Sequence, residues 1–488
     1  MDFISFNFWL LFMPAGCILY YAFNRHVKIQ NLILLMLSAA FYMRFSVRKS
    51  VFILACMVIT YVTGLIVDRY PRLRHPAVIC GSVLNIGILV GTKCANLFIR
   101  GFNALAGGFG AGLAPVGWAA TIGISFFILQ SSTYLFSLYN DKIEVKKNPI
   151  DFALFVIFFP TVVSGPIQRA EELFPQIENK RSMTFDKLKK AITLFLMGAF
   201  MKLVISDRLS QYTDVIFDMY ESNMTYGAYM LLAVICYSIQ LYADFAGYSN
   251  MAVAVAMFFG FDIKDNFNSP YMAVSIADFW RRWHISLSGW LRDYIYIPLG
   301  GNRKGTVRKY INILIVFIVS GLWHGVAAGY VVWGMLHGVY QIVSGMTKNM
   351  RVKISDTLKI NRQCCAYKWF QRFIVFVLVG FSWIFFRAAS LSGGIAFIKG
   401  MCSQWNPQIL INGSLDMYIS PIDRYLAVFG TAVMAFVGII GKWKVIERII
   451  KWKYIFWAAL MIAIFIFMVV FGVYGPGYSA GKFIYAGF

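Results

Sequence analysis

The stretch Ser320-Gly321-Leu322-Trp323-His324-Gly325 lies inside a long apolar run, 310–346, in a 488-residue chain with only five histidines. Upstream, Asp278-Phe279-Trp280-Arg281-Arg282-Trp283-His284-Ile285-Ser286 holds a second one. An ionisable side chain in or beside such a run is costly if the run is buried in lipid, and there it marks function by default. Whether the run is membrane helix or soluble core is decided by the rest of the chain.

Hydrophobic residues make up 59% of the sequence and charged residues 14%, with a mean hydropathy of +0.65. Most of the chain must therefore face lipid or other helices rather than water. Apolar stretches close to the span length of about 20 residues occur at 6–23, 29–43, 50–67, 77–91, 115–139, 150–164, 190–206, 227–260, 310–346 (expected to break), 371–387, 424–441 and 454–473. The expectation is an all-α polytopic membrane protein with about eleven or twelve membrane helices, some re-entrant, plus interfacial amphipathic helices. No polar stretch is long enough for a soluble domain, so 1–488 reads as a single membrane domain.

The formal charge of +23 is topological. Nucleic-acid binding needs a basic, water-facing domain, and there is no room for one. Lys and Arg collect at Arg69–Arg74, Lys142–Lys147, Lys187–Lys190, Arg281–Lys309, Lys348–Arg372 and Lys442–Lys453, whereas Asp207–Glu221 is acidic. The positive-inside rule puts the first group in the cytoplasm and the second outside. Met1-Asp2 precedes the first apolar run with no basic segment, which reads as a retained helix with its amino end outside. Eight scattered cysteines show no CxxC and no metal-ligand spacing, so neither redox nor metal chemistry is expected.

Three local readings concern the interior. Gly101–Gly117 is glycine-rich and fits a loop or re-entrant hairpin. Asp244, in the run 227–260, should face the protein interior and pair with a buried Arg or His. At roughly 100° per residue, Ile276, Phe279, Trp280, Trp283, Leu287, Trp290, Leu291, Tyr294 and Ile295 fall on one arc of a helix. Asp278, Arg281, Arg282, Ser288, Arg292 and Asp293 fall opposite. This predicts an amphipathic helix of about twenty residues at the cytoplasmic interface, with His284 on its apolar side.

Around His324, Gly321, Gly325 and Gly329 repeat at helical spacing and predict a face that a neighbouring backbone or a narrow substrate can approach closely. His324 projects about 60° from that stripe. His337 lies over about 100° away on a continuous helix, so the two act together only if the helix breaks. A buried neutral imidazole can accept a proton from a hydroxyl as that oxygen attacks an acyl donor. No Gly-x-Ser-x-Gly elbow or other nucleophile motif occurs, which favours direct attack by the acceptor over an acyl-enzyme.

These motifs, together with Trp290-Leu291-Arg292-Asp293-Tyr294, Ile297-Pro298-Leu299-Gly300-Gly301-Asn302 and Leu322-Trp323-His324-Gly325, resemble the signature of the membrane-bound O-acyltransferase family. Ser164-Gly165-Pro166-Ile167-Gln168-Arg169, Asp244-Phe245-Ala246-Gly247-Tyr248-Ser249 and the terminal Phe483-Ile484-Tyr485 resemble its bacterial alginate-acetylating branch. Ala246 and Asn250 depart from the commoner Asp-Phe-Ser-Gly-Tyr-Ser-Asp. The resemblance implies catalysis in the region of about 240–340, with His324 catalytic in a tunnel through the membrane and His284 assisting from the cytoplasmic side. It further implies a donor-binding set drawn from Arg281, Arg282, Trp283, Arg292, Asp244 and Trp323, where Arg forks match coenzyme A phosphates.

The expected activity is O-acetyl transfer from cytoplasmic acetyl-CoA, used as substrate with no bound cofactor, to an extracytoplasmic polysaccharide such as alginate. The resemblance implies an extracytoplasmic hydrolase-like partner and a place in the bacterial cytoplasmic membrane. Two rivals stand beside it. One is D-alanyl transfer from a carrier protein to teichoic acid, whose members are shorter than this chain. The other is a polysaccharide or lipid transporter, which should show internal repeats that the sequence lacks.

Overall fold

The computed structural model describes residues 3–5, 7–44, 47, 50–106, 112–116, 123–219, 226–403 and 405–474. Phe483-Ile484-Tyr485, Glu221 and the glycines at 107, 108, 110 and 117 lie outside the described residues. Every regular element among the described residues is helical, which agrees with the all-α expectation. Among the described residues seven helices are long and apolar enough to cross a membrane, and Phe8–Ala22, Val27–Met43, Pro149–Val162 and Leu391–Cys402 are shorter apolar helices. Outward faces are apolar too, as at exposed Ile455 and Val470, because lipid is the solvent. The chain is a multi-pass membrane protein, and it divides into two compact units, 1–195 with 248–265 and 196–247 with 266–484.

The first unit carries α1 (Met13–Ala22), α2 (Val27–Met43), α3 (Ser50–Arg69), α4 (Arg74–Ala106), α5 (Ile124–Tyr139), α6 (Pro149–Ile157), α7 (Phe159–Val162) and α8 (Ala170–Glu178). The sequence placed a span at 77–91, but α4 runs on to Ala106. Beyond it the chain folds back: Asn96 and Asn103 bond both backbone groups of Val116 and Leu113 through their carboxamides. The described part of the glycine-rich segment is thus helix to Ala106 and, at 112–116, backbone held against α4. The motif Ser164–Arg169 is buried, non-helical backbone just after α7. Such backbone persists inside a membrane protein only where side chains supply its hydrogen bonds. Gln130 accepts from the Gln168 N–H, and Thr133 bonds the Gln168 carbonyl and the Ala170 N–H.

α9 (Phe185–Phe200) leads into the second unit, where a π-helical segment, Met201–Ser206, joins it to α10 (Asp207–Met219). The acidic segment expected outside is helical over Asp207–Met219. Asp207 is buried and not a loop acid, while Asp214 and Asp218 pair with Arg387 at 2.8 and 3.4 Å. α11 (Gly227–Phe258) contributes its first part, to Gly247, to this unit. Asp244 on it pairs with Lys202 at 2.8 Å, and Lys202 also reaches Asp207 at 2.7 Å, all three nearly fully buried. The expected Arg or His partner is a lysine, because the wider π turn carries Lys202 opposite α11. Gly247 meets the Gly198 carbonyl so closely that a Cβ would clash.

The amphipathic segment is buried on the predicted arc, with Phe279, Trp283 and Leu287 almost wholly enclosed. It is not one helix, however. α12 (Ile276–Arg282) and α13 (Ile285–Leu291) are separated at His284, which takes a left-handed backbone with φ 43° and ψ 55°. The break is made by the loop before it. Asn268 donates its N–H to the Arg282 carbonyl, and Asn266 accepts from the N–H groups of Ile285 and Ser286 and from the Ser286 hydroxyl. Those groups would otherwise continue the helical ladder.

The run 310–346 also breaks. α14 (Thr306–His324) ends at His324, and α15 (Ala328–Met346) packs back against it. The predicted glycine face is thereby corrected: Gly325 sits at the turn and Gly329 on the returning arm, so the three do not line one helix. The glycines instead let backbones touch, Gly321 against the Tyr330 carbonyl, Gly334 against the Phe317 carbonyl and Gly329 against that of Phe385. Gly334→Ala places its methyl on backbone that cannot yield, and we expect it to destabilise the protein by about 3 kcal/mol. A melting temperature in detergent equal to the parent's would contradict this packing. α16 (Lys348–Thr357), α17 (Cys365–Arg387), α18 (Leu391–Cys402), α19 (Pro421–Ile440), α20 (Lys442–Ile450) and α21 (Tyr454–Phe471) complete the unit.

Candidate active site

The hairpin, α12–α13 and α17 gather three of the five histidines into one aromatic cluster within the second unit. His324, the last residue of α14, is buried among Trp333 and Phe386, with ring centroids 5.1 and 5.2 Å away, beside its neighbour Trp323 at 4.8 Å. His284 is equally buried, edge-on to Phe245 at 4.8 Å and to Trp323 at 5.9 Å. Trp323 therefore bridges the two histidines that the sequence singled out. Their approach depends on both helix breaks, since each histidine occupies one.

His337 joins them because α14 and α15 form a hairpin. Trp333 separates it from His324, its ring 5.3 Å from that of His337. Trp280 donates its indole N–H to His337 Nδ1 at 3.2 Å. Ser382 gives its own hydrogen to the Val379 carbonyl, so its oxygen accepts from His337 Nε2 at 2.9 Å. Both nitrogens are used and the ring is held as the neutral Nε2–H tautomer. His337 thus ties α12, α15 and α17 together, and its chemistry is spent on structure.

The other predicted residues divide by environment. Trp283 is enclosed by Phe267, Phe279 and Trp383 and serves packing. Arg281 and Arg292 are exposed, Arg292 paired with Asp293 at 2.8 Å. Arg282 is half-buried, bonded to Asp278 at 3.1 Å and to the Asn268 carbonyl. Exposed ion pairs contribute little and exchange partners readily, so the Arg281 and Arg292 guanidinium groups stay available to phosphate oxygens. Asp244 lies one residue from Phe245, the ring against His284, but its carboxylate serves Lys202. Sequence reasoning missed Asn266, Trp333 and Ser382, none of which stands in a motif with the histidines; only the Gly-Val-Ala-Ala-Gly of 325–329 hinted at the turn that delivers Trp333.

Burial pushes the His284 imidazole down from its ordinary value of 6.5 to about 3. Unfolding exposes a group that binds a proton below 6.5 while the folded protein does not, so stability is full above that pH and falls with acidification toward 3. From pH 7 to 5 this group alone costs about 2 kcal/mol. Detergent melting at both pH values should show the wild type losing more stability than His284→Asn, a replacement that tolerates the left-handed backbone. Equal losses would mean that His284 is not held neutral.

Two buried histidines around an indole in an aromatic cluster, with arginines on an adjoining exposed helix face, can move a proton and hold an anionic donor. The model of the membrane-bound O-acyltransferase family matches residues 6–386, which include this whole cluster. The chain belongs to that family. Among curated relatives, it is 36% identical over 397 residues to the probable alginate O-acetylase AlgI of Pseudomonas putida, covering 80% of this chain and 78% of that one. It is 32% identical over 424 residues to the peptidoglycan O-acetyltransferase of Helicobacter pylori, covering 80% and 77%. A teichoic acid D-alanyltransferase of Bacillus subtilis matches at 34% over 229 residues, covering 45% of this chain and 57% of that one. As a family member the protein is a membrane O-acyltransferase. Among the described residues four α-helices, α18 to α21, follow the matched region.

Proposed function

We propose that this protein moves an acetyl group from cytoplasmic acetyl-CoA across the membrane for O-acetylation of an extracytoplasmic polysaccharide, with His324 as general base and His284 beside it. The observation that carries the reading is the juxtaposition of both imidazoles around Trp323, deep among aromatic rings. A neutral imidazole there accepts the acceptor hydroxyl's proton as the oxygen attacks the thioester carbonyl, then returns it to the departing thiolate. Arg281, Arg282 and Arg292 hold the donor's phosphates at the basic, cytoplasmic face. The acetylating relatives, matched over about four fifths of this chain, support acetyl over alanyl transfer. Alginate is a fitting acceptor, and an extracytoplasmic hydrolase-like protein completes transfer to the polymer. Purified protein in detergent with radiolabelled acetyl-CoA should release free coenzyme A. Inertness toward acetyl-CoA, with turnover of a D-alanyl carrier protein, would move the chain to the alanylating branch.

A further inference from the structure

Two hydrogen-bond donors flank His324 without an acceptor among the described residues: the Ser320 hydroxyl and the Trp333 indole N–H, both fully buried. Ser320 stands one helical turn before His324 on the same face of α14, a spacing that puts Cβ atoms about 5–6 Å apart. Trp333 meets the His324 ring at 5.1 Å, perpendicular to it. Ser320 is not idle for want of a local partner. A helical serine or threonine ordinarily bonds the carbonyl one turn back, as Ser132, Ser238 and Thr60 do here, yet Ser320 does not. Indole N–H can only donate, so Trp333 needs an acceptor from elsewhere. A buried unmet donor costs about 1–3 kcal/mol, and two stand on residues beside one imidazole.

We infer that Ser320 and Trp333 form the oxyanion site of the acyl transfer, donating to the carbonyl oxygen of the bound thioester. The inference rests on the acetyl-transfer reading above. When the acceptor hydroxyl oxygen bonds to the carbonyl carbon, its proton passes to the His324 imidazole and the carbonyl π electrons move onto oxygen. Ser320 and Trp333 hold that negative charge with two hydrogen bonds. Collapse re-forms the carbonyl, breaks the carbon–sulfur bond and returns the proton from His324 to sulfur, leaving an ester and a free thiol. Donors already fixed in a dry site need no reorganisation as charge develops.

The test compares Ser320→Ala and Trp333→Phe with the parent and with His324→Ala, using acetyl-CoA turnover and detergent melting. Each donor variant should lower kcat by roughly 100-fold at nearly unchanged KM, and Ser320→Ala should keep its melting temperature, since an unpaired donor contributes no native bond. Should Trp333→Phe melt early, Ser320→Ala alone decides. Parental kcat in both donor variants, with His324→Ala inactive, overturns this inference and leaves the base assignment standing. Reduced kcat in the donor variants with His324→Ala active overturns the base assignment and leaves the oxyanion site standing. A rise in KM at constant kcat also overturns it, since the donors would then merely bind the ground state.

Discussion

His324→Ala is expected to lower acetyl transfer by roughly 10²–10⁴-fold, the contribution of a positioned general base, while the protein still inserts and folds. Folding survives because alanine is the best helix former and His324 stands at the last position of α14. The gap left among Trp323, Trp333 and Phe386 lowers stability by a core truncation's cost, about 2–3 kcal/mol, too little to account for the loss of rate. His337→Ala is the informative control. There both nitrogens are bonded, to Trp280 and Ser382, so its loss of activity should track loss of folded protein. Purified His324→Ala with wild-type turnover, measured as coenzyme A release per folded molecule, would end its candidacy as base.

Lys202→Met should be the most destabilising single change, by about 3–5 kcal/mol. Methionine fills a similar volume but leaves the carboxylates of Asp207 and Asp244, each 2% exposed or less, with their shared cation gone. Two buried acids cannot both stay ionised without it. The loss should appear as a lower melting temperature and poor recovery from membranes. Adding Asp207→Asn and Asp244→Asn to Lys202→Met should restore most of it, because an uncharged cluster of like volume carries no desolvation penalty. A Lys202→Met protein as stable as its parent would mean the three do not act as an ion pair network.

The sequence made legible whatever depends on local pattern. Hydropathy identified the membrane class, and the period of Phe279, Trp280, Trp283 and Leu287 identified a buried arc, because both are properties of neighbouring residues. His284 and His324 stood out for the same reason. What it hid depends on partners remote in the chain. The interruption at His284 is imposed by Asn266 and Asn268, whose backbone groups and the Asn266 carboxamide oxygen take the bonds a continuous helix would use. Lys202 and Asp244 meet across two helices, and the pairing needs the π turn that re-aims the lysine. The glycines near His324 were noticed, but helical spacing alone cannot tell a smooth face from a hairpin in which each glycine admits a different backbone. That ambiguity concealed Trp333, since a continuous helix would have carried it away from the site.

The left-handed backbone at His284 has a consequence for how this protein can change over generations. Asparagine is among the few side chains that accept that conformation, and its codons differ from those of histidine by one base. A folded chain stripped of its second imidazole therefore lies a single mutational step away, without the collapse that most other replacements at that strained position invite. His324, in ordinary helical geometry, carries no comparable backbone filter. Lineages that lose the need for this enzyme should accumulate varied residues at 324, while a decaying 284 should pass first through asparagine.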